Sequence, residues 1–278
     1  LLQLEISDRD DESQNNLGGG DETNVDFYII GGDLYAQFRI RESGELYIAK
    51  PLDREAIDLY LLTILVTDGK FIAKTNVSIS VLDANDNPMI CLKYRYRETL
   101  SESVETNTHV LQVLVSDADE ASNTRLRFYL TGIGADDFHL DENLGILKTA
   151  KRLDRESQSK YQLTAFVQDR DHSGWECHSL IEISITDIND EKPIFSMESY
   201  SVFIPEDADN GTLVTKVFAT DRDKGINRKI RYSFVDSYKD HFKIEPESGI
   251  VTLMKLLDRE QQAHYNLTLK ATYIGAPS

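Results

Sequence analysis

Three segments of this chain align with one another without gaps, and that self-similarity restricts the fold more than any other feature. Leu1–Asp10 matches Val110–Asp119 and Val214–Asp223, and each segment ends in Asp-X-Asp. A second set is Leu52-Asp53-Arg54-Glu55, Leu153-Asp154-Arg155-Glu156 and Leu257-Asp258-Arg259-Glu260. A third is Phe38–Leu46, Phe138–Leu147 and Phe242–Val251, each with a glycine (Gly44, Gly145, Gly249) where a hairpin should turn. The period is about 101 to 109 residues, which is the size of a domain rather than of a solenoid unit.

Within each copy the apolar residues alternate. Leu62–Thr67, Asn76–Val81, Tyr161–Val167, Leu180–Ile185 and Tyr200–Ile204 all read as strands of period two. No stretch holds a helical period over a dozen residues. Short strands split by Gly, Asn and Asp predict an antiparallel sandwich, with about seven strands in roughly 100 residues. The first copy carries an insertion around Glu12 to Asn24, including Gly18-Gly19-Gly20. It is read as a tolerated surface loop, with a recognition loop as the alternative.

The seams between copies carry the chemistry. Asp83-Ala84-Asn85-Asp86-Asn87 returns as Asp187-Ile188-Asn189-Asp190-Glu191. So many oxygen-bearing side chains in five residues suit neither a strand nor a helix, but they do suit a cage for a hard cation. Other acids recur in register: Glu102, Asp117, Asp119, Asp154, Glu156 and Asp169 in the second copy. Gathered at one seam they repel, and a divalent ion with six to eight oxygen ligands turns that repulsion into a cross-link. Alone, any Asp-X-Asp is more readily a turn than a ligand; the ordered set reverses that reading.

Charge and length narrow the class further. A net charge of −18 argues against a nucleic-acid groove and against an anionic membrane surface. The longest apolar run, about Leu59 to Val66, falls short of a membrane span. The first residues read as a strand rather than a signal peptide, so the chain is expected to be an interior piece of a longer protein. Two cysteines, Cys91 and Cys177, are too few for a disulfide framework but enough for one bridge.

Leu-Asp-Arg-Glu, Asp-X-Asp, the Asp-X-Asn-Asp-Asn seam before a proline, and a Glu after the opening strand together resemble cadherin extracellular repeats over the whole chain. Cys91 after the first seam and Cys177 in Gly174-Trp175-Glu176-Cys177 look more narrowly like the Fat and Fat-like giant cadherins. The resemblance implies an all-β fold of tandem seven-stranded Greek-key, immunoglobulin-like sandwiches. The repeats are expected at 1–87 (lacking its first strand), 88–191, and 192–278 (lacking its last strand).

The resemblance also implies calcium at each seam. The matching ligands at the first are Asp53, Glu55, Asp83, Asn85, Asp86, the Asn87 carbonyl, Asp117, Asp119, Asn123 and Asp169. At the second they are Glu102, Asp154, Glu156, Asp187, Asn189, Asp190, the Glu191 carbonyl, Asp221, Asp223 and Asn227. Where the first two copies have Asp68 and Asp169, the third has Tyr273, so a weaker calcium site is expected there. Asp8 and Asp10 would serve a seam upstream. The arginines Arg54, Arg155 and Arg259 are read as solvated or salt-bridging neighbours rather than functional groups, and Pro88 and Pro193 as fixing φ where a strand begins.

In such a sandwich a Cys91–Cys177 bridge is geometrically allowed, with two separate thiols as the alternative. Asn76, Asn210 and Asn266 open glycosylation sequons, and Asn76 and Asn266 should face outward by alternation. No P-loop, nucleophile elbow, dinucleotide fingerprint, zinc spacing or EF-hand loop occurs, and the paired acids lack a glycosidase cleft. The chain is therefore expected not to be an enzyme. The expected function is calcium-dependent cell–cell adhesion as an ectodomain segment at the plasma membrane, extracellular side. Its partners would be other cadherins, homophilic or heterophilic, with a role in planar polarity and growth control. No nucleic acid or small-molecule substrate is expected, and the membrane is met only through the parent chain. A pure spacer in a tension-bearing link and a calcium-stabilised carbohydrate-binding module are the alternatives.

Overall fold

The computed structural model describes residues 2–5, 25–120, 124–235 and 240–274. Asn123, Asp8, Asp10 and the whole of the insertion around Glu12 to Asn24 lie outside the described residues. The described chain is all-β, as the alternation requires, with a short 3-10 turn at Ala135–Asp137. It packs as two compact units. The first comprises Leu1–Ile90, Val115–Leu126 and Asp169–Glu176; the second comprises Cys91–Leu114, Arg127–Gln168 and Cys177–Ser278.

In the first unit, two three-stranded antiparallel sheets form the sandwich. One has the order Leu2–Gln3, Glu45–Ile48, Phe38–Ile40, and the other Asp26–Gly31, Leu59–Thr67, Ile72–Ser80. The strand Leu59–Thr67 shows why: Tyr60, Leu62 and Ile64 point inward and are buried, while Leu59 and Leu61 point out. With Phe38 and Leu46 they make the core, and Phe27, Leu52, Val77 and Ile79 pack against it.

In the second unit, Leu126–Gly132, Lys160–Asp169, Glu176–Thr186 and Arg95–Ser101 form a four-stranded sheet. Its last pair is parallel, with Leu180 opposite Arg95 and Thr186 opposite Ser101. Phe138–Leu140, Ile146–Thr149 and His109–Gln112 form the facing three-stranded sheet. The third copy repeats the small sheet as Leu213–Lys216, Ile250–Leu253 and Phe242–Ile244, and pairs Ile230–Phe234 with Leu269–Tyr273. Its core is Val217, Ala219, Tyr232, Phe242, Ile244, Val251 and Leu253.

Two packing devices recur in all three copies. The aromatic that begins each third-set motif meets a tyrosine edge-on: Phe38–Tyr60, Phe138–Tyr161 and Phe242–Tyr265, with ring centroids 4.9, 5.0 and 5.4 Å apart. The hairpin glycines Gly44, Gly145 and Gly249 all have positive φ, and a ring lies over each. An added Cβ would meet Phe27 at 2.9 Å and Phe128 at 2.6 Å, and at Gly249 the main-chain oxygen of Val217 at 2.3 Å, with Tyr232 at 3.3 Å. Glycine is required there for the turn, and also for the covering ring at Gly44 and Gly145 and for the Val217 backbone at Gly249.

Tyr200–Ile204 corrects the sequence reading, because it is not a strand. Its counterpart Arg95–Ser101 is held by a parallel ladder to Leu180–Thr186, and the described third copy offers no strand at that position. Alternation marks a segment able to pair; it does not supply the partner.

Candidate metal centres

In the first unit, the turn after Leu52 and the irregular seam after the strand Ile72–Ser80 converge on the loop Asp117–Glu120. Oxygen atoms of Glu55, Asp83 and Asp119 lie within 4.8 Å of one another. Backbone donors orient these acids: Glu120 N–H donates to Asp83 Oδ2 (3.0 Å), Asn87 N–H to Asp119 Oδ2 (3.0 Å) and Asp119 N–H to Asp117 Oδ1 (3.1 Å). Asn85 Nδ2 donates to Asp169 Oδ2 at 3.0 Å. Burial by itself pushes the Asp169 carboxyl up. The bonds from Asn85, Asp171 N–H and His172 N–H outweigh it and hold the pKa below the ordinary value.

The second unit holds a denser arrangement. Glu102, Glu156 and Asp190 form one group and Glu156, Asp187 and Asp223 another, each within 4.8 Å, so Glu156 belongs to both. Glu102 is 5% exposed and ties the cluster together. Its Oε2 accepts from Arg155 N–H (2.8 Å) and its Oε1 from Ile188 N–H (2.6 Å). Asn227 Nδ2 and Lys224 N–H both reach Asp187 at 3.0 Å. Burial, then the charges of Asp221 and Asp187, push Asp223 up to about 6. Burial, then Glu102 and Glu191, raise Asp190. These are the marks of negative charge crowded without enough counter-charge.

Not every expected ligand joins a cluster. Asp53 and Asp154 cap the turns they begin, accepting from Ala56 N–H at 3.0 Å and Ser157 N–H at 3.1 Å; Asp258 does the same with Gln261. Asp154 is still near enough to add to the raising of Asp190. Asp86 is exposed and accepts from Asn87 Nδ2. Asn189 is 8% exposed beside Asp187 and Asp190 in the seam, and Glu191 pairs with Arg222 at 3.4 Å. Arg54 and Arg155 are the salt-bridging neighbours that the sequence reading allowed, but it did not place them on the acids of the seam. Arg54 Nε lies 2.5 Å from Asp83 Oδ1, and Arg155 Nε 2.5 Å from Asp187 Oδ1. The signal was their recurrence, which alone does not say where a long side chain ends.

The donor set fits a hard cation. Asp117 Oδ2 and Asp221 Oδ2 occupy the same place in successive copies, and both are buried oxygens with no hydrogen-bond partner. Asn85 Oδ1 is a third such oxygen. A buried acceptor with no donor is costly. Several of them beside grouped carboxylates are what an oxygen-ligated calcium requires.

The single bridge Cys91–Cys177 lies in the second unit, with Cα atoms 5.7 Å apart, which settles the two alternatives in favour of the disulfide. The sequon asparagines Asn76, Asn210 and Asn266 are all exposed.

Comparison with known proteins agrees with this architecture. The family model described as "Cadherin domain" matches residues 1–82, 96–186 and 200–278. The chain is 50% identical over 277 residues to the Fat-like cadherin-related tumor suppressor homolog of Drosophila melanogaster, covering 100% of this chain and 6% of that protein. It is 43% identical over 277 residues to human Protocadherin Fat 1, covering 99% of this chain and 6% of that protein. The narrower likeness to Fat proteins therefore holds, over about 6% of the length of these relatives. Among solved structures, mouse Cadherin-23 EC22-24 superposes with a TM-score of 0.74 at 27% identity, covering 94% of this chain and 84% of that one. The threefold motif set, the β-sandwich sheets and these matches lead to one conclusion: the chain belongs to the cadherin domain family.

Proposed function

We propose that this chain is an ectodomain segment of a calcium-dependent cell–cell adhesion protein, with three repeats bounded at 1–87, 88–191 and 192–278. Family membership already takes it out of the enzyme class. The observation that carries the calcium reading is the twofold one: grouped carboxylates at each seam, with Asp117 Oδ2 and Asp221 Oδ2 buried and lacking donors.

At the first seam, Glu55, Asp83, Asn85, Asp86, the Asn87 carbonyl, Asp117, Asp119, Asn123 and Asp169 would hold calcium, with Asp53 leaving its turn to join them. At the second, Glu102, Asp154, Glu156, Asp187, Asn189, Asp190, the Glu191 carbonyl, Asp221, Asp223 and Asn227 would do so. Bound calcium supplies the positive charge that lets these acids sit together, and so fixes one repeat against the next. Extracellular modules bind in the range of about 10⁻⁴–10⁻³ M, so calcium outside the cell fills such sites. Among the described residues no helix is long and apolar enough to cross a membrane; attachment at the plasma membrane would come from the rest of the parent chain. A stiffened segment of this kind serves homophilic or cadherin–cadherin recognition, and its likeness to Fat proteins favours a role in planar polarity and growth control. The exposed Asn76, Asn210 and Asn266 would carry glycans.

Calcium titration of the whole chain by calorimetry, paired with thermal melts in millimolar calcium and in EDTA, tests the core of this reading. Binding in the millimolar to submillimolar range with a raised melting temperature is expected. No heat of binding and identical melts would overturn it. Calcium-dependent aggregation of beads coated with the chain then separates adhesion from a spacer role.

A further inference from the structure

The arginine of Leu-Asp-Arg-Glu performs the same construction twice. Arg54 lies with its Nε 2.5 Å from Asp83 Oδ1, and its Nη2 donates to the main-chain oxygen of Ala118 at 3.2 Å. Arg155 lies with its Nε 2.5 Å from Asp187 Oδ1, and its Nη2 donates to the main-chain oxygen of Arg222 at 3.0 Å. Ala118 and Arg222 are the same position, the middle residue of Asp-X-Asp in the following copy. Each guanidinium thus joins three parts of the chain: its own turn, the first acid of the seam, and a backbone carbonyl of the next repeat. Each also pairs with the glutamate that follows it, Glu55 or Glu156.

The third copy supplies an internal control. Arg259 N–H donates to Glu206 Oε2 at 2.9 Å, just as Arg155 N–H donates to Glu102 Oε2 at 2.8 Å. The local backbone arrangement is therefore shared. Yet the Arg259 side chain is exposed, whereas that of Arg155 is 7% exposed and that of Arg54 19%. What covers the first two arginines is the seam and the Asp-X-Asp loop that follow them.

We propose that Arg54 and Arg155 are straps that hold successive repeats together without any metal, each by one guanidinium that pairs with a seam carboxylate and donates a hydrogen bond to the next repeat's backbone. The carbonyl bond matters because it does not depend on charge neutralisation. The planar guanidinium, with donors at fixed angles, reaches both acceptors at once; a lysine ammonium on a flexible stem does not reproduce that geometry. One cation beside two carboxylates also leaves the cluster under-neutralised, which keeps it open to a divalent ion. The straps do not require the calcium reading, so their test is run in chelator and its failure leaves that reading intact.

The experiment uses the whole chain in EDTA, with hydrogen exchange followed at residues 83–87 and 187–191. Arg54→Ala and Arg155→Ala should each speed exchange about tenfold at their own seam, the cost of one charge-assisted bond to a buried partner. Arg259→Ala should leave both seams unchanged, and Arg155→Lys should behave as the alanine variant. In saturating calcium, all four variants should match the parent at the seams, which also shows that they fold. Parent-like exchange in EDTA for Arg54→Ala and Arg155→Ala would overturn the proposal. So would rescue by lysine, which would reduce the arginine to a point charge. Equal loss of protection with calcium present would likewise overturn it, since the arginine would then be serving its own repeat.

Discussion

Tyr273 shows how one residue can set apart two seams that are otherwise alike. It pairs with Ile230 at the end of its strand, and the next residue, Ile274, donates its N–H to Lys229 O at 2.9 Å. In the second copy Arg170 N–H donates to Arg125 O at 2.9 Å, which places Asp169 where Tyr273 stands. Asp169 is 1% exposed and fully ionised among its donors, so the first seam has a ready carboxylate at this point. A phenol offers a divalent cation no negative charge. On the proposed calcium reading, Tyr273→Asp should therefore tighten binding at the second seam by about tenfold, since it adds one charged ligand. Calorimetric titration of parent and variant reads this directly, and unchanged affinity counts against Tyr273 as the weak point.

At the scale of elements, the disulfide is the one covalent tie. It joins the short strand Ile90–Cys91 to the start of Glu176–Thr186 across 86 residues of sequence. Closing so long a loop removes much of the unfolded chain's freedom, so reducing the bridge should destabilise the middle repeat by about 2–4 kcal/mol. Thermal melts with and without reductant, alongside the Cys91→Ser, Cys177→Ser pair, check it; superimposable melts would show that the sandwich alone sets its stability. What could be read in advance follows the range of the forces involved. Long alternating strands such as Lys160–Asp169 declare themselves, because each inward residue packs on its own sheet's core. Two-residue pairings such as Ile194–Phe195 with Ala219–Thr220 do not, since tertiary neighbours alone create them. Tyr200–Ile204 failed for the same reason. The acids were legible because they recur in register. The destinations of Arg54 and Arg155 were not, because a following copy determines them.

For the molecule as a whole, 48 acids face 30 lysines and arginines, and the few acids whose pKa is shifted are of two kinds. Asp169, Asp68 and Asp141 are held below their ordinary pKa, Asp169 by the balance already described and the other two chiefly by backbone N–H donors. Such groups add stability above the unfolded value of about 4 and lose it as the pH falls further. Asp223 and Asp190 are of the other kind, raised by burial and then by neighbouring acids, Asp223 to about 6. Between about pH 4 and 6 the folded chain then binds more protons at these groups than the unfolded chain does, so its stability falls as pH rises through that window. In EDTA the melting temperature should accordingly be highest at the low end of this window, near pH 4, and decline from there to about pH 6, where it levels off, as repulsion at the second seam returns. Millimolar calcium should abolish the decline, since the deprotonated acids are then paired, and the stabilisation by calcium should grow with pH. Melts at pH 4, 5, 6 and 7.5, with and without EDTA, decide the matter. A melting temperature in EDTA that does not fall from pH 4 to 6 would mean that the second seam's carboxylates do not oppose folding, and the charge argument for an ion there would lose its basis.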